Sequence, residues 1–180
     1  MEEAKQLIQE AIDTGFSQAG ELNVSALVFM PEVREMCAAD KCHAYGRSWV
    51  CPPACGSIEE ASARASQYSR GILVQTIGRM EDDFDYETIV ETQKKHAINF
   101  RKLIARLRER YDDLLPMTAG GCDLCRTCTY PDAPCRHPKE AMTSMEAYGL
   151  FVSRVCEASG IPYNNGPQTI TYTSCYLLKA

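Results

Sequence analysis

The cysteines of this sequence fall mainly into two short segments, and these residues are the ones best suited to chemistry. The segment Gly120–Pro138 reads G-G-C-D-L-C-R-T-C-T-Y-P-D-A-P-C-R-H-P. Its Cys122, Cys125 and Cys128 recur at every third position, and Cys135 follows seven residues later. Thiolates spaced this closely, in a loop interrupted by Gly and Pro, can converge on one compact inorganic centre. The segment is therefore predicted to bind metal.

The spacing of these cysteines resembles the Cys-x2-Cys-x2-Cys ligand run of bacterial ferredoxins, which holds a 4Fe–4S cluster. We therefore predict an iron–sulfur cluster at Cys122, Cys125, Cys128 and Cys135. Zinc is the alternative metal, since Cys125, Cys128, Cys135 and His137 could supply three thiolates and one imidazole. That zinc site would leave Cys122 without a role. A disulfide framework or a single Cys-x2-Cys redox pair would account for the cysteines less well.

A second group of cysteines lies nearer the amino terminus, in C-A-A-D-K-C-H-A-Y-G-R-S-W-V-C-P-P-A-C-G. Its members, Cys37, Cys42, Cys51 and Cys55, could bind a second 4Fe–4S cluster or a zinc ion. Their spacing matches neither the common zinc ribbon nor the ferredoxin run. In two-cluster ferredoxins the ligand that precedes a proline serves the other cluster, and here Cys51 precedes Pro52. Cys51 could therefore serve the carboxyl-terminal site, so the allocation of the cysteines between one or two clusters stays open.

The composition is that of a single soluble domain. The chain has 180 residues, of which 45% are hydrophobic and 24% charged, so we treat residues 1–180 as one metal-binding domain with cysteine-rich loops at 37–55 and 122–135. A net charge of −5 argues against broad nucleic-acid binding, which needs a concentrated basic face. No apolar run is long enough to cross a bilayer, and the start M-E-E-A-K-Q is not a secretory signal. We therefore expect a cytoplasmic protein without membrane partners, in which ten cysteines serve metal rather than disulfides.

Apolar periodicity predicts the elements that must position the two loops. Helices are predicted over 3–17, 57–68, 86–111 and 143–159, and strands over 24–30, 71–77, 114–118 and 169–178. Ser57 with Glu60, and Thr143 with Glu146, have the spacing of a helix capping box. Because strands alternate with helices, we predict an α/β domain with a small, mostly parallel sheet flanked by helices.

Three chemically capable residues outside the two segments are predicted to be structural. Cys156 falls on the apolar face of its helix, where a free cysteine behaves as a small hydrophobic residue. Cys175 lies in the last strand and is expected to pack in the core, although that strand could also bring it near a cluster as a spare ligand. His96 lies among apolar residues of the longest helix, so we expect a hydrogen-bonded core histidine.

Several motifs, in order along the chain, resemble a family of predicted metal-binding proteins. They are Y-G-R-S-W-V-C-P-P-A-C-G, G-C-D-L-C-R-T-C, P-C-R-H-P and S-M-E-A-Y-G-L, and the resemblance covers roughly Val24 to Leu178. The family is catalogued as a domain of unknown function and is found mainly in anaerobic bacteria and archaea. The resemblance implies metal, in the form of iron–sulfur, at the motif cysteines, and it assigns no reaction.

We expect an iron–sulfur protein with 4Fe–4S clusters that relays single electrons to an unidentified redox partner protein. One alternative is a zinc-stabilised interaction module, in which metal serves folding alone. Another is a metalloenzyme with an open iron site, where one cysteine is not a ligand. The sequence contains neither a P-loop nor a dinucleotide fingerprint, which are the motifs of two more familiar classes of enzyme.

Overall fold

The computed structural model describes residues 2–179. The helices are α1 (Glu2–Thr14), α2 (Pro31–Ala38), α3 (Ile58–Ala65), α4 (Tyr86–Leu107) and α5 (Val152–Ala158), and the strands are β1 (Gln18–Glu21), β2 (Arg70–Arg79), β3 (Leu114–Met117) and β4 (Thr169–Leu178). Among these residues, none of the helices combines the length and the apolar character that crossing a bilayer would require.

The four strands form one sheet in the order β1-β2-β4-β3, and every neighbouring pair is antiparallel. The predicted mostly parallel sheet is therefore wrong. The β2–α4–β3 segment is a crossover that joins two strands running in the same direction, as the alternation of elements suggests. However, β4 lies between β2 and β3 and runs against both. The position of the last strand decides whether the sheet is parallel or antiparallel, and the alternation of helices and strands in the sequence does not reveal that position.

The two central strands, β2 and β4, are buried on both faces of the sheet. On one face, Ile72 and Val74 pack with α1 and α4 in a cluster that includes Phe100 and Tyr176. The Tyr176 and Phe100 rings are stacked 5.0 Å apart. On the other face, Leu73 packs with residues of α5 and of the chain around it. Met117 and Met145, on either side of the carboxyl-terminal cysteine segment, pack in this second cluster, whereas Asp123 within that segment pairs with Arg101 of α4.

The start of α3 is set by the predicted capping box. The Glu60 N–H donates to the Ser57 hydroxyl at 3.1 Å, and the Ser57 N–H donates to the Glu60 carboxylate at 2.7 Å. The helix therefore begins immediately after the first group of cysteines.

The second predicted capping box is wrong, because Thr143 and Glu146 do not begin a helix and α5 starts only at Val152. The Thr118 N–H donates to the Thr143 carbonyl at 3.1 Å, and the Met145 N–H donates to the Thr118 carbonyl at 3.0 Å. The Thr143 carbonyl, which would accept a bond in such a helix, is thus used to tie this stretch to the end of β3.

The strand predicted over 24–30 is also wrong: Val24–Ala26 is a short 3-10 helix, and Phe29 makes only an isolated bridge to Leu150. The first strand of the sheet is instead β1, at one edge, whose sequence Q-A-G-E has no apolar pattern. Asn23 turns the chain away from the sheet, since its side-chain amide donates to the Ala158 carbonyl at 3.3 Å.

Candidate metal centre

The amino-terminal cysteine segment, residues 37–55, starts in the last turn of α2 and ends just before α3. Its first turn is closed by Asp40, whose carboxylate pairs with Arg47 at 3.2 Å. Its last turn is closed by the Cys55 N–H, which donates to the Cys51 carbonyl at 3.1 Å. The segment is bent back on itself in this way, so cysteines that are distant in sequence become neighbours.

The four thiols of this segment lie within electrostatic reach of one another. Burial raises the pKa of Cys51 to about 11, and the neighbouring thiols of Cys42, Cys55 and Cys37 act in the same direction. Burial also raises the pKa of Cys37, again with contributions from Cys42 and Cys55. Without metal the thiols of Cys37 and Cys51 are protonated at neutral pH, so metal binding there must release protons.

Arg34, on α2 one turn before Cys37, is a residue that sequence reasoning missed. Its guanidinium donates to the Cys55 sulfur at 3.7 Å, to the Ala147 carbonyl at 2.6 Å and to the Gly56 carbonyl at 2.5 Å. Burial raises the pKa of Cys55, and the positive charge of Arg34 opposes that rise. The guanidinium therefore stabilises negative charge on this sulfur. Its spacing of three residues from Cys37, on the same face of α2, is the only signal that could have found it.

The carboxyl-terminal cysteine segment, residues 122–135, lies in the irregular connection between β3 and α5. The Thr129 hydroxyl donates to the Pro134 carbonyl at 2.8 Å, and the Arg136 guanidinium donates to the Thr127 carbonyl at 3.0 Å. Side chains thus close the loop where no helix or strand is present to hold it.

Cys122 is held near α4 by its neighbour Asp123, which pairs with Arg101 at 2.8 Å. Burial raises the pKa of Cys122, and the charges of Asp123, Cys135 and Cys125 add to the rise. Three of the four predicted ligands of this segment are therefore neighbours.

Cys128 has different surroundings from the other thiols. Burial acts to raise its pKa, but hydrogen bonds from the backbone N–H groups of Tyr130, Trp49 and Thr129 and from the Ser48 hydroxyl outweigh it, so the pKa is lowered. Two of these four residues belong to the amino-terminal segment. The thiolate form of Cys128 is thus stabilised by both segments together.

The two cysteine segments also contact each other through Trp49. Its indole ring meets the Tyr130 ring edge to face, with centroids 4.9 Å apart, and its N–H donates to the Ala133 carbonyl at 3.1 Å. This contact fixes the position of one segment relative to the other.

Ser48 is a second residue that sequence reasoning missed. Its side chain is buried, and its hydroxyl lowers the pKa of both Cys51 and Cys128 in opposition to burial. One hydroxyl is therefore shared between a cysteine of each segment. Neither its type nor its spacing distinguishes Ser48 from an ordinary loop serine in the sequence.

A cavity of about 270 Å³ lies between the two segments. Its walls include two histidines, His43 of the amino-terminal segment and His137, the imidazole of the alternative zinc site. The thiols that line it are those of Cys42, Cys122, Cys125, Cys128 and Cys135.

Cys156, Cys175 and His96 are buried, as predicted for residues of the core. Burial raises the pKa of Cys175, and Cys156 accepts a hydrogen bond from the Gln75 side chain at 3.7 Å. The His96 ring contacts the Thr76 hydroxyl at 2.9 Å and the Ser174 hydroxyl at 2.6 Å, and burial lowers its pKa to about 4.

The donor set of the two segments fits a thiolate-bound metal. All ten cysteines are free thiols; the eight in the segments are exposed or half-buried, and the other two are fully buried. Within residues 2–179, no three His, Cys, Asp or Glu side chains are yet arranged around a single metal-ion position. What the structure does bring together is accessible sulfur with hydrogen-bond donors beside it.

Comparison with known proteins finds a match to a protein family. The model of a protein family with the description predicted metal-binding protein (DUF2284) matches residues 20–178. No curated protein and no solved structure matches the chain. The matched residues include both cysteine segments.

Proposed function

The chain belongs to this family of predicted metal-binding proteins, as its motifs suggested, and from that premise we propose that it carries two 4Fe–4S clusters and relays single electrons to a partner protein. When bound, such clusters accept and donate one electron at a time. The proposed ligands of the first cluster are Cys37, Cys42, Cys51 and Cys55, and those of the second are Cys122, Cys125, Cys128 and Cys135.

The observation that carries this proposal is the direct contact between the two cysteine segments. Trp49 of the first segment packs on Tyr130 of the second and donates to Ala133. Ser48 is shared between Cys51 and Cys128. A protein that stores metal for folding alone has no need to join its two sites, whereas a path for electrons requires the sites to be neighbours.

The surroundings of Cys51 favour its place in the first set of ligands. Cys51 precedes Pro52, which left open whether it serves the other site. The thiols that act on its pKa are those of Cys37, Cys42 and Cys55, all from its own segment. We therefore assign Cys51 to the amino-terminal cluster.

Several side chains of this protein would adjust the charge at the sulfur atoms. Arg34 donates to Cys55, and the Ser48 hydroxyl lowers the pKa of Cys51 and of Cys128. Hydrogen bonds to ligand sulfur favour the more negative, reduced state of a site, because they stabilise charge there. Trp49 and Tyr130 place aromatic rings at the contact between segments, which limits the access of water.

The test is the absorption spectrum of protein purified without oxygen. We expect brown protein with broad absorption near ~400 nm that bleaches on reduction, as thiolate-bound iron–sulfur clusters show. Colourless protein that contains stoichiometric zinc would contradict the proposal and would support a zinc-stabilised interaction module instead.

A further inference from the structure

A crevice of about 820 Å³ opens beside the two cysteine segments, and nothing in the proposed electron relay explains it. Its size is within the range of small-molecule binding sites. We call it the basic crevice. Its walls come from the ends of α3 and α4, from β3 and from the chain after Tyr130, and the residues that matter here are Trp49, Cys55, Arg64, Arg108, Asp132, Cys135, Lys139 and Tyr148.

The charges of the basic crevice are opposite in sign to that of the whole chain. The protein has a net charge of −5, yet the crevice is lined by Arg64, Arg108 and Lys139 against the single carboxylate of Asp132. The positive charge of Arg64 interacts with the nearby Asp113 carboxylate and contributes to lowering the pKa of that group. The positive charge available to a ligand therefore comes chiefly from Arg108 and Lys139.

Arg108 and Lys139 are held together although they lie on different elements. The Arg108 guanidinium donates to the Lys139 backbone carbonyl at 3.3 Å, so the two residues are in contact, and both line the crevice. Neither side chain forms a salt bridge with any residue of the described range 2–179. Two neighbouring cations without a carboxylate partner are suited to an anionic group.

The remaining walls suit an apolar or aromatic body. Trp49 and Tyr148 contribute rings, and the segment from Pro131 to Pro138 contributes three prolines to the lining. Aromatic walls with a few convergent charged groups are the usual construction of a site for a small organic molecule.

The edge strand β3 adds polar backbone groups to the crevice. The Lys179 N–H donates to the Asp113 carbonyl at 3.2 Å, so in the alternating pattern of an antiparallel pair Leu114 and Pro116 direct their backbone groups away from β4. Both residues line the crevice. Pro116 has no N–H to leave unpaired at this edge, and the carbonyl groups remain for a ligand.

We propose that the basic crevice binds a small organic anion with an apolar or aromatic body and a carboxylate or phosphate group. Arg108 and Lys139 bind the anionic group, and the rings of Trp49 and Tyr148 contact the body. Cys55 and Cys135, one from each segment, line the same crevice, so the bound molecule lies against both cysteine sets. Anion binding itself does not depend on which metal the cysteines hold.

The test uses three naphthalene compounds that differ only in their polar group: 2-naphthoate, 2-naphthyl phosphate and the neutral 2-naphthalenemethanol. Their affinities for the full-length, metal-loaded protein are measured by isothermal titration calorimetry. We expect at least one of the two anions to bind more tightly than the alcohol, and the preferred anion shows which group the natural ligand carries. Added salt should weaken the binding of the anion and leave the binding of the alcohol unchanged, because only the anion is held by exposed charges.

Variants locate the site. Lys139→Gln should lower the affinity for the preferred anion about 3-fold, and the double variant Arg108→Gln with Lys139→Gln should lower it about 10-fold. These factors match the modest strength of exposed charge pairs. Affinity for the alcohol should not change. Lys102→Gln is the matched control, since Lys102 is an exposed lysine of α4 that does not line the crevice, and it should bind like the wild type.

The proposal is overturned if neither anion binds more tightly than the alcohol, or if Lys139→Gln and Lys102→Gln bind the anion equally well. Iron and zinc are measured on the same samples. If the protein contains iron but shows no anion preference, only the proposal of an anion site is contradicted. If it binds the anion but contains zinc, only the iron–sulfur proposal is contradicted.

Discussion

Trp49 and Tyr130 meet edge to face, with ring centroids 4.9 Å apart and ring planes 88° from parallel. The two residues lie in different cysteine segments, and four elements, α3, β2, α4 and β3, separate them in the sequence. Edge-to-face pairs are a favoured aromatic geometry. The contact makes the two segments one structural unit, so changes in one segment are expected to affect the other.

Substitution of Trp49 tests this unit. Trp49→Phe keeps a ring against Tyr130 but loses the hydrogen bond to Ala133, so we expect a loss of about 1 kcal/mol in the free energy of unfolding. Trp49→Ala loses the ring as well and should cost about 3 kcal/mol. Guanidinium-induced unfolding under nitrogen measures both. Equal stability of the two variants would show that the ring contact is unimportant.

Loss of one cysteine from each set tests the allocation of ligands. We expect Cys42→Ala and Cys125→Ala each to lose roughly half of the bound iron, because each terminal thiolate serves its own cluster. Cys156→Ala is the matched control: it removes a fully buried thiol and should keep all of the iron. Loss of all the iron in either single variant would indicate one shared site rather than two.

Arg34 is expected to raise the reduction potential of one site only. Its guanidinium donates to Cys55, so Arg34→Gln removes a positive charge and a hydrogen bond from that sulfur. A charge-assisted hydrogen bond of about 1.5 kcal/mol corresponds to a fall of about 60 mV for a one-electron couple. A redox titration followed by electron paramagnetic resonance should show this fall in one of two transitions.

The control for Arg34 is Arg79→Gln, which removes an exposed arginine at the end of β2. It should leave both potentials unchanged. If the two variants shift the potentials equally, the effect is one of overall charge, and the contact with Cys55 has no particular role.

His96 should make stability depend on pH. Burial lowers its pKa to about 4, against 6.5 in the unfolded chain. As the pH falls from about 6.5 to about 4, only the unfolded chain takes up the proton, so the free energy of unfolding falls by up to about 3 kcal/mol; it recovers as the pH rises above 6.5. Unfolding curves between pH 4 and 7 measure this slope.

His96→Gln supplies the comparison, because glutamine does not titrate and can still bond to Thr76 or Ser174. The variant should show a shallower loss of stability than the wild type over the same pH range. Identical slopes would mean that other groups cause the acid sensitivity.

Local patterns in the sequence predicted most of the individual elements. The apolar stripe of α4, the Ser57–Glu60 capping box and the β4 strand over 169–178 are confirmed. Each of these depends on neighbours in sequence, through helical periodicity, a reciprocal cap or β-branched residues in alternation.

The arrangement of the elements could not be predicted in the same way. The antiparallel sheet follows from the insertion of β4 between β2 and β3, and the absence of a helix at Thr143 follows from hydrogen bonds to Thr118. Both are contacts between residues distant in sequence. The same holds at the candidate site: the cysteines stand out by type and spacing, whereas Arg34 and Ser48 gain their positions beside sulfur only when the chain folds.

The most direct test of the central claim is the number of iron and acid-labile sulfide ions per chain in protein purified without oxygen. Two 4Fe–4S clusters predict about eight of each per chain. One or two zinc ions per chain with no sulfide would contradict the claim, since zinc bound by thiolates contains no inorganic sulfide.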